Sequence, residues 1–183
     1  MSKPMLPRHT ERLLLRPIRR GDEADLLAYR SSAEVCRYIP TDPLTAETVI
    51  EYMAERMTWT KIEADDDKIV LVVELAGRVI GDVLVRTGRL IDRQAEIGWV
   101  LNPEFQHHGY ATEAARELAA MSFSELGMHR VWAQLDPRNG PSARICERLG
   151  MRHEGHLRED MWLKGAWCDA WIYAILESEW PRA

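Results

Sequence analysis

The segment that most constrains this chain is Gln106-His107-His108-Gly109-Tyr110-Ala111, set between two stretches of opposite character. Upstream, residues 95–101 (AEIGWVL) have the β-branched and aromatic make-up of a strand, which Asn102 and Pro103 end. Downstream, residues 110–126 are rich in Ala, Glu and Leu and predict a long helix. A strand that turns through a glycine-bearing loop into a helix presents unpaired N–H groups and the positive end of the helix dipole at the turn. Such a turn is suited to hold phosphate, and the phosphate expected of it is a cofactor's pyrophosphate.

The other elements are organised around this turn. Residues 12–17 read as a strand whose alternation is disturbed at Leu14, and residues 22–31 as a helix with Asp22 as N-cap. A proline-punctuated loop (38–44) leads to a second helix over 45–60, with Thr45 as N-cap and Glu47 and Glu51 favouring its start. Residues 61–68 are polar and expected in solvent. Strands at 69–75 and 79–87 around Ala76 and Gly77 form a hairpin signal. Past the long helix come a strand at Arg130–Leu135, a short helix at 139–149 closed by Gly150, and a final strand pair at 152–157 and 167–176. Strands grouped in the middle with helices inserted at two points predict a mixed α/β or α+β sheet. The length of 183 residues predicts a single domain, 1–183, able to bury a sizeable core.

Composition removes several alternatives. A formal net charge of −5 argues against a nucleic-acid-binding surface. No apolar run approaches the ~20 residues of a membrane helix. The first twenty residues break their apolar stretches with charges, unlike a secretory signal. Three widely spaced cysteines, Cys36, Cys146 and Cys168, suggest a reduced cytoplasmic protein without a disulfide framework. Adjacent His107 and His108 cannot readily ligate one metal, and His153 and His156, three apart on a strand, should face opposite sides, so no metal is expected. Gly-Lys-Ser/Thr and Gly-x-Gly-x-x-Gly phosphate motifs are both missing.

Gln106, Gly109 and Ala111 occupy the three defined places of Gln/Arg-x-x-Gly-x-Gly/Ala, so the loop resembles the acetyl-CoA signature of the GNAT superfamily of N-acetyltransferases. Three segments in order, the middle one containing this loop, extend the likeness over nearly the whole chain: Thr10-Glu11-Arg12-Leu13 with Leu15-Arg16, EIGWVLNPEFQHHGYATEA, and NGPSARICERLGM. More closely, they resemble the branch of Rim-type ribosomal-protein N-terminal (alanine) acetyltransferases. The resemblance implies an α+β fold: a mostly antiparallel sheet of about seven strands, flanked by about four helices and splayed between the fourth and fifth strands. It implies direct attack of a neutral amine on the thioester of acetyl-CoA, with no metal. The acceptor is a protein N-terminal α-amine first, or a small amine such as an aminoglycoside or polyamine, for which the acidic run 63–67 would be the attraction. A non-catalytic acyl-CoA-binding protein is the remaining alternative. Monomer and homodimer both stay open.

The resemblance also assigns residues. The cofactor would lie on Gln106, His107, His108, Gly109, Tyr110, Ala111 and Thr112, with its pantetheine arm between Trp99, Val100 and Leu101 on one strand and residues 132–135 on the next. Asn139 would bond the pantetheine amides, cap the following helix, or both. Ser142 shares a helical face with Ile145, Cys146 and Leu149, so its hydroxyl is expected inward as donor to the departing thiolate, or as a back-bonded core serine. Glu96 is the candidate base through water, or a carboxylate paired with an arginine. Arg144 and Arg148 read as a solvated helix face with a possible reach to the terminal phosphate. Trp162, Trp167 and Trp171 read as core, Asp169 as structural, and the loops 35–44 and 161–166 as substrate loops.

Overall fold

The computed structural model describes residues 4–181. Its chain order is β1 (Arg8–His9), β2 (Leu14–Pro17), α1 (Glu23–Arg30), α2 (Thr48–Arg56), β3 (Lys68–Leu75), β4 (Arg78–Thr87), β5 (Gln94–Leu101), α3 (Tyr110–Ser124), β6 (Arg130–Leu135), α4 (Gly140–Arg148), β7 (Arg152–Leu163) and β8 (Ala166–Leu176). The strands make one sheet in the order β1-β2-β3-β4-β5-β6-β8-β7. Seven of these strands correspond to the sequence expectation; the eighth is the two-residue β1.

Helices cover both faces of the sheet, which explains the unbroken apolar run at its centre. Ile69, Leu71 and Val73 of β3 join a core with Leu118 and Met121 of α3, while Val70 and Val72 join a second core with Leu26, Tyr29, Tyr52 and Met53 of α1 and α2. A strand buried on both sides carries continuous hydrophobicity instead of alternation.

All pairings are antiparallel except one. β5 and β6 run parallel and pair only over Gln94–Glu96 and Arg130–Trp132. Beyond that point they separate, so the sheet is splayed between the strands anticipated as fourth and fifth.

Several expectations are corrected in detail. Asp22 makes no side-chain cap bond; its carboxylate instead takes two 2.8 Å bonds from the Arg16 guanidinium and one from the Arg19 N–H. The second helix is shorter, Thr48–Arg56, although the Thr45 hydroxyl does accept from the N–H of Glu47 and Thr48. In the polar stretch 61–68, Ile62 is buried in the main core. The last hairpin is longer than expected. A register shift between His153 and Gly155 pairs His153 with Tyr173 and His156 with Trp171. One extra residue there inverts the alternation, so both histidines share a face and each ring approaches Trp171. Trp162 and Trp167 are not core: they are 62% and 59% exposed and pack edge-on against each other at 5.3 Å.

Candidate active site

The loop between β5 and α3 is built by local chemistry. The Asn102 side chain accepts from the Glu104 N–H at 3.1 Å and starts a short turn over Pro103–Phe105. Gln106 folds back to donate to the Leu101 carbonyl at 3.4 Å. His107 (φ 67°) and Gly109 (φ 83°) are both left-handed, a conformation that costs glycine nothing and other residues something. The first helical bond of α3 runs from the Glu113 N–H to the Gly109 carbonyl at 3.0 Å, so the N–H groups of Tyr110, Ala111 and Thr112 precede it.

A clamp from the far end of the chain holds this loop. The Glu113 carboxylate accepts from the Thr10 hydroxyl at 2.5 Å, the Arg12 N–H at 2.9 Å and Arg12 Nε at 2.7 Å. The same guanidinium donates to the His108 carbonyl at 3.0 Å and lies 4.6 Å over the Tyr110 ring. Sequence reasoning noted Thr10 and Arg12 as part of a pattern but missed this role. Their partner is about a hundred positions away, and no local signal names it.

A cavity of about 490 Å³ opens in front of the loop. Its walls contain Trp99, Val100, Leu101, Gln106, His107, Gly109, Tyr110, Ala111, Thr112, Asn139 and Ser142. His108 is not among them; it contributes its carbonyl to Arg12 instead. Arg37, Arg138, Arg144 and Arg148 also line it, against one carboxylate, Glu34. The site is thus strongly basic in a chain of net charge −5, and Arg144 and Arg148 belong to its wall.

A second cavity of about 260 Å³ adjoins the first. Tyr38, Ile39, Trp99, Val100, Asn139 and Ser142 line both. The Asn139 side chain accepts from the Ser142 N–H at 3.3 Å, capping α4. Ala143, Cys146 and Leu149 supply the buried face of that helix. Ser142 is half-buried at the junction, where its hydroxyl has no hydrogen-bond partner among the described residues. It therefore faces the cavities and not the core.

Glu96 lines the second cavity in an ion pair with Arg86 at 2.6 Å. Burial pushes its carboxyl above the usual carboxylate range, against the opposing pull of Arg86. Deeper in the wall, Asp82 is bridged by Arg30 and accepts from the Tyr29 hydroxyl at 2.6 Å. Burial, with the nearby Asp82 charge, pushes the Tyr52 phenol up to about 12. The Arg138 guanidinium bonds Asp136 and, against some burial, holds its carboxyl below the usual range. Residues 38–41 and Met161, from the two expected substrate loops, line this cavity, and Lys164 at the hairpin tip reaches the Thr41 carbonyl at 2.8 Å. The acidic run 63–67 lines neither cavity; it turns against the β4–β5 connection, where Asp65 accepts from the Leu90 N–H. Asp169 pairs with His156 at 2.6 Å, and both side chains are partly exposed. The three cysteines are buried free thiols. Among the described residues no cluster of His, Cys, Asp or Glu is arranged for a metal, and no helix is long and apolar enough to cross a membrane.

A mixed sheet splayed beside a basic cavity, with a helix start aimed into it, defines an acetyltransferase fold. The profile of the Acetyltransferase (GNAT) domain matches residues 12–152, and the chain belongs to that family of N-acetyltransferases. The uncharacterized N-acetyltransferase YnaD of Bacillus subtilis is 33% identical over 172 residues, 93% of this chain and 97% of its own length. YdaF of the same organism, provisionally named a ribosomal N-acetyltransferase, is 29% identical over 143 residues, 78% of this chain and 77% of its own. Spermidine N(1)-acetyltransferase of Escherichia coli is 26% identical over 166 residues, 91% of this chain and 87% of its own. The crystal structure of a GNAT-family acetyltransferase from Bacillus anthracis superposes with a TM-score of 0.84 at 31% identity, covering 96% of this chain and all of that one.

Proposed function

We propose that this chain, acting as one acetyltransferase domain, moves the acetyl group of acetyl-CoA to a protein N-terminal α-amine. The observation that carries the reading is the meeting of the two cavities at Asn139, Ser142 and Trp99. A cofactor in the basic cavity and an amine in the other would touch there.

The residues present fit that cofactor. The N–H groups at the start of α3 and the guanidinium groups of Arg144 and Arg148 suit its phosphates. The facing edges of β5 and β6 lack ladder partners past Glu96 and Trp132 and suit its amide-bearing arm. When bound, acetyl-CoA supplies the activated acetyl thioester. Ser142 would donate a hydrogen bond from its hydroxyl to the departing thiolate, which then takes its proton from solvent. Glu96 would take the amine's proton through water. Its raised pKa narrows the gap to an α-amine at ~7.7–8.0, whereas a lysine at ~10.4 would be almost wholly charged near neutrality.

The test is an acceptor screen with labelled acetyl-CoA over peptides, N-terminally blocked peptides, aminoglycosides and polyamines. Label on the free α-amine, lost on blocking, is the expected result; label confined to lysine side chains or polyamines would refute it. The spermidine-modifying relative favours a polyamine reading. Against it stand the carboxylates in the acceptor cavity's wall, each already facing a guanidinium. The acidic run once available to attract a polycation lies elsewhere.

A further inference from the structure

The charges in the acceptor cavity are matched with one exception. Asp82 faces Arg30, Glu96 faces Arg86 and Asp136 faces Arg138. Arg56, at the end of α2, also lines this cavity. Its carboxylate contact is the neighbouring Glu55, whose side chain is 58% exposed. An ion pair to so exposed a partner is weak and screened by water, so the cation is not neutralised.

Its geometry is that of a fixed reader. The guanidinium lies 3.6 Å from the Tyr52 ring centroid and 4.7 Å from that of Trp59, and the side chain is only 14% exposed. Both bonds it makes, to the Tyr52 carbonyl and to Glu55, use Nη1. Nε and Nη2 are unengaged among the described residues, and this is the fork that grips a carboxylate through two parallel bonds. Lys68 Nζ lies 4.4 Å from the same Trp59 ring but is not part of the cavity's lining, so Arg56 is the cation that Trp59 presents to it.

We infer that Arg56 selects acceptors carrying a carboxylate close to the reacting amine: an N-terminal segment with an acidic residue at its second or third position. The inference rests on the function proposed above. It makes Arg56 a specificity determinant that takes no part in the chemistry.

The experiment measures kcat/KM for three peptides with free N-terminal alanine, bearing Asp, Ala or Lys at the second and third positions, with the wild-type chain and with Arg56→Met. The wild type should prefer the Asp peptide over the Ala peptide by about tenfold, and take the Lys peptide worst. Arg56→Met should bring the Asp-to-Ala ratio close to one, while calorimetry with acetyl-CoA confirms a folded cofactor site. A wild-type ratio near one, a preference for Lys, or a variant that slows every peptide alike while keeping the ratio would each overturn the inference. Turnover of the Asp or the Ala peptide by the wild type reads acetyl transfer to an α-amine itself. Its absence from both would overturn the function and the inference together, whereas equal turnover of all three peptides removes only the role of Arg56.

Discussion

Glu96 shows how two opposed effects set the behaviour of a single residue. Burial raises its pKa and the Arg86 ion pair lowers it, and burial wins. In its proposed role as base it acts deprotonated, so the acid limb of kcat/KM should lie above the usual carboxylate value. Arg86→Met removes the lowering influence and should move that limb further up. Glu96→Gln should cost most at low pH, with the loss shrinking as pH passes the amine's own pKa, near 8 for a protein N-terminus. A pH-independent loss would make the carboxylate structural. At the junction, Ser142→Ala should lower kcat by about tenfold or more with little change in cofactor Kd, since in the proposed function its hydroxyl acts on departure of the thiolate. Equal loss in affinity with kcat unchanged would leave it a binding role. At Gly109 the left-handed backbone excludes a β-branched side chain, so Gly109→Val should sharply weaken acetyl-CoA binding in calorimetry while the fold persists.

Among elements, the start of α3 depends on a segment that is not its neighbour in sequence. Thr10 and Arg12 tie the approach to β2 onto Glu113, and Arg12 reaches across to the loop carbonyl of His108. Arg12→Ala should therefore weaken acetyl-CoA binding about tenfold, roughly 1.4 kcal/mol, without contacting the cofactor. Burial pushes the Glu113 carboxyl up, but the bonds from Thr10 and Arg12 outweigh it and leave the pKa lowered. A lowered carboxylate stabilises the fold above its unfolded-state pKa and loses that contribution as pH falls through the folded value. The gap in melting temperature between wild type and Glu113→Gln should accordingly be widest near neutrality and narrow in acid. A constant gap across that range would show that the charge of Glu113 contributes nothing.

At the scale of the molecule, one parallel pairing in an otherwise antiparallel sheet creates the site. β5 and β6 meet over three residues and part; beyond that point Trp99 and Val100 of β5 line both cavities, while Ala133, Gln134 and Leu135 of β6 line the second. The long β7–β8 hairpin then returns to the α1–α2 connection through Lys164, against the Thr41 carbonyl and Asp42. Lys164→Ala should raise acceptor KM and leave acetyl-CoA affinity unchanged. The same hairpin carries the Trp162–Trp167 pair into solvent, so Trp162→Ser should change stability by about 1 kcal/mol, whereas Leu118→Ala in the main core should cost about 2–5 kcal/mol. Thermal melting separates the two; a larger loss at Trp162 would mean that the hairpin packs more tightly than its exposure shows.

The sequence alone determined what short-range chemistry determines. The β5 strand, the loop from Gln106, the start of α3 at Tyr110 and the cap at Asn139 were legible because glycine, proline, capping groups and residue period act within a few positions. Tertiary structure alone decided which side chains meet. Glu96 finds Arg86 only because β4 and β5 pair in one register, and Glu113 finds Arg12 across a hundred residues. Arg144 and Arg148 are exposed, as a solvated helix face should be, and only the placement of α4 makes that face a cavity wall as well. One bulged residue in β7 reverses the face of His156, and the turn end of the β7–β8 hairpin holds Trp162 and Trp167 outside the core that their residue type suggested. Periodicity fixes which way a residue points along its own element, but a partner, a cavity or a solvent exposure depends on where a distant element lies, and no local pattern encodes that.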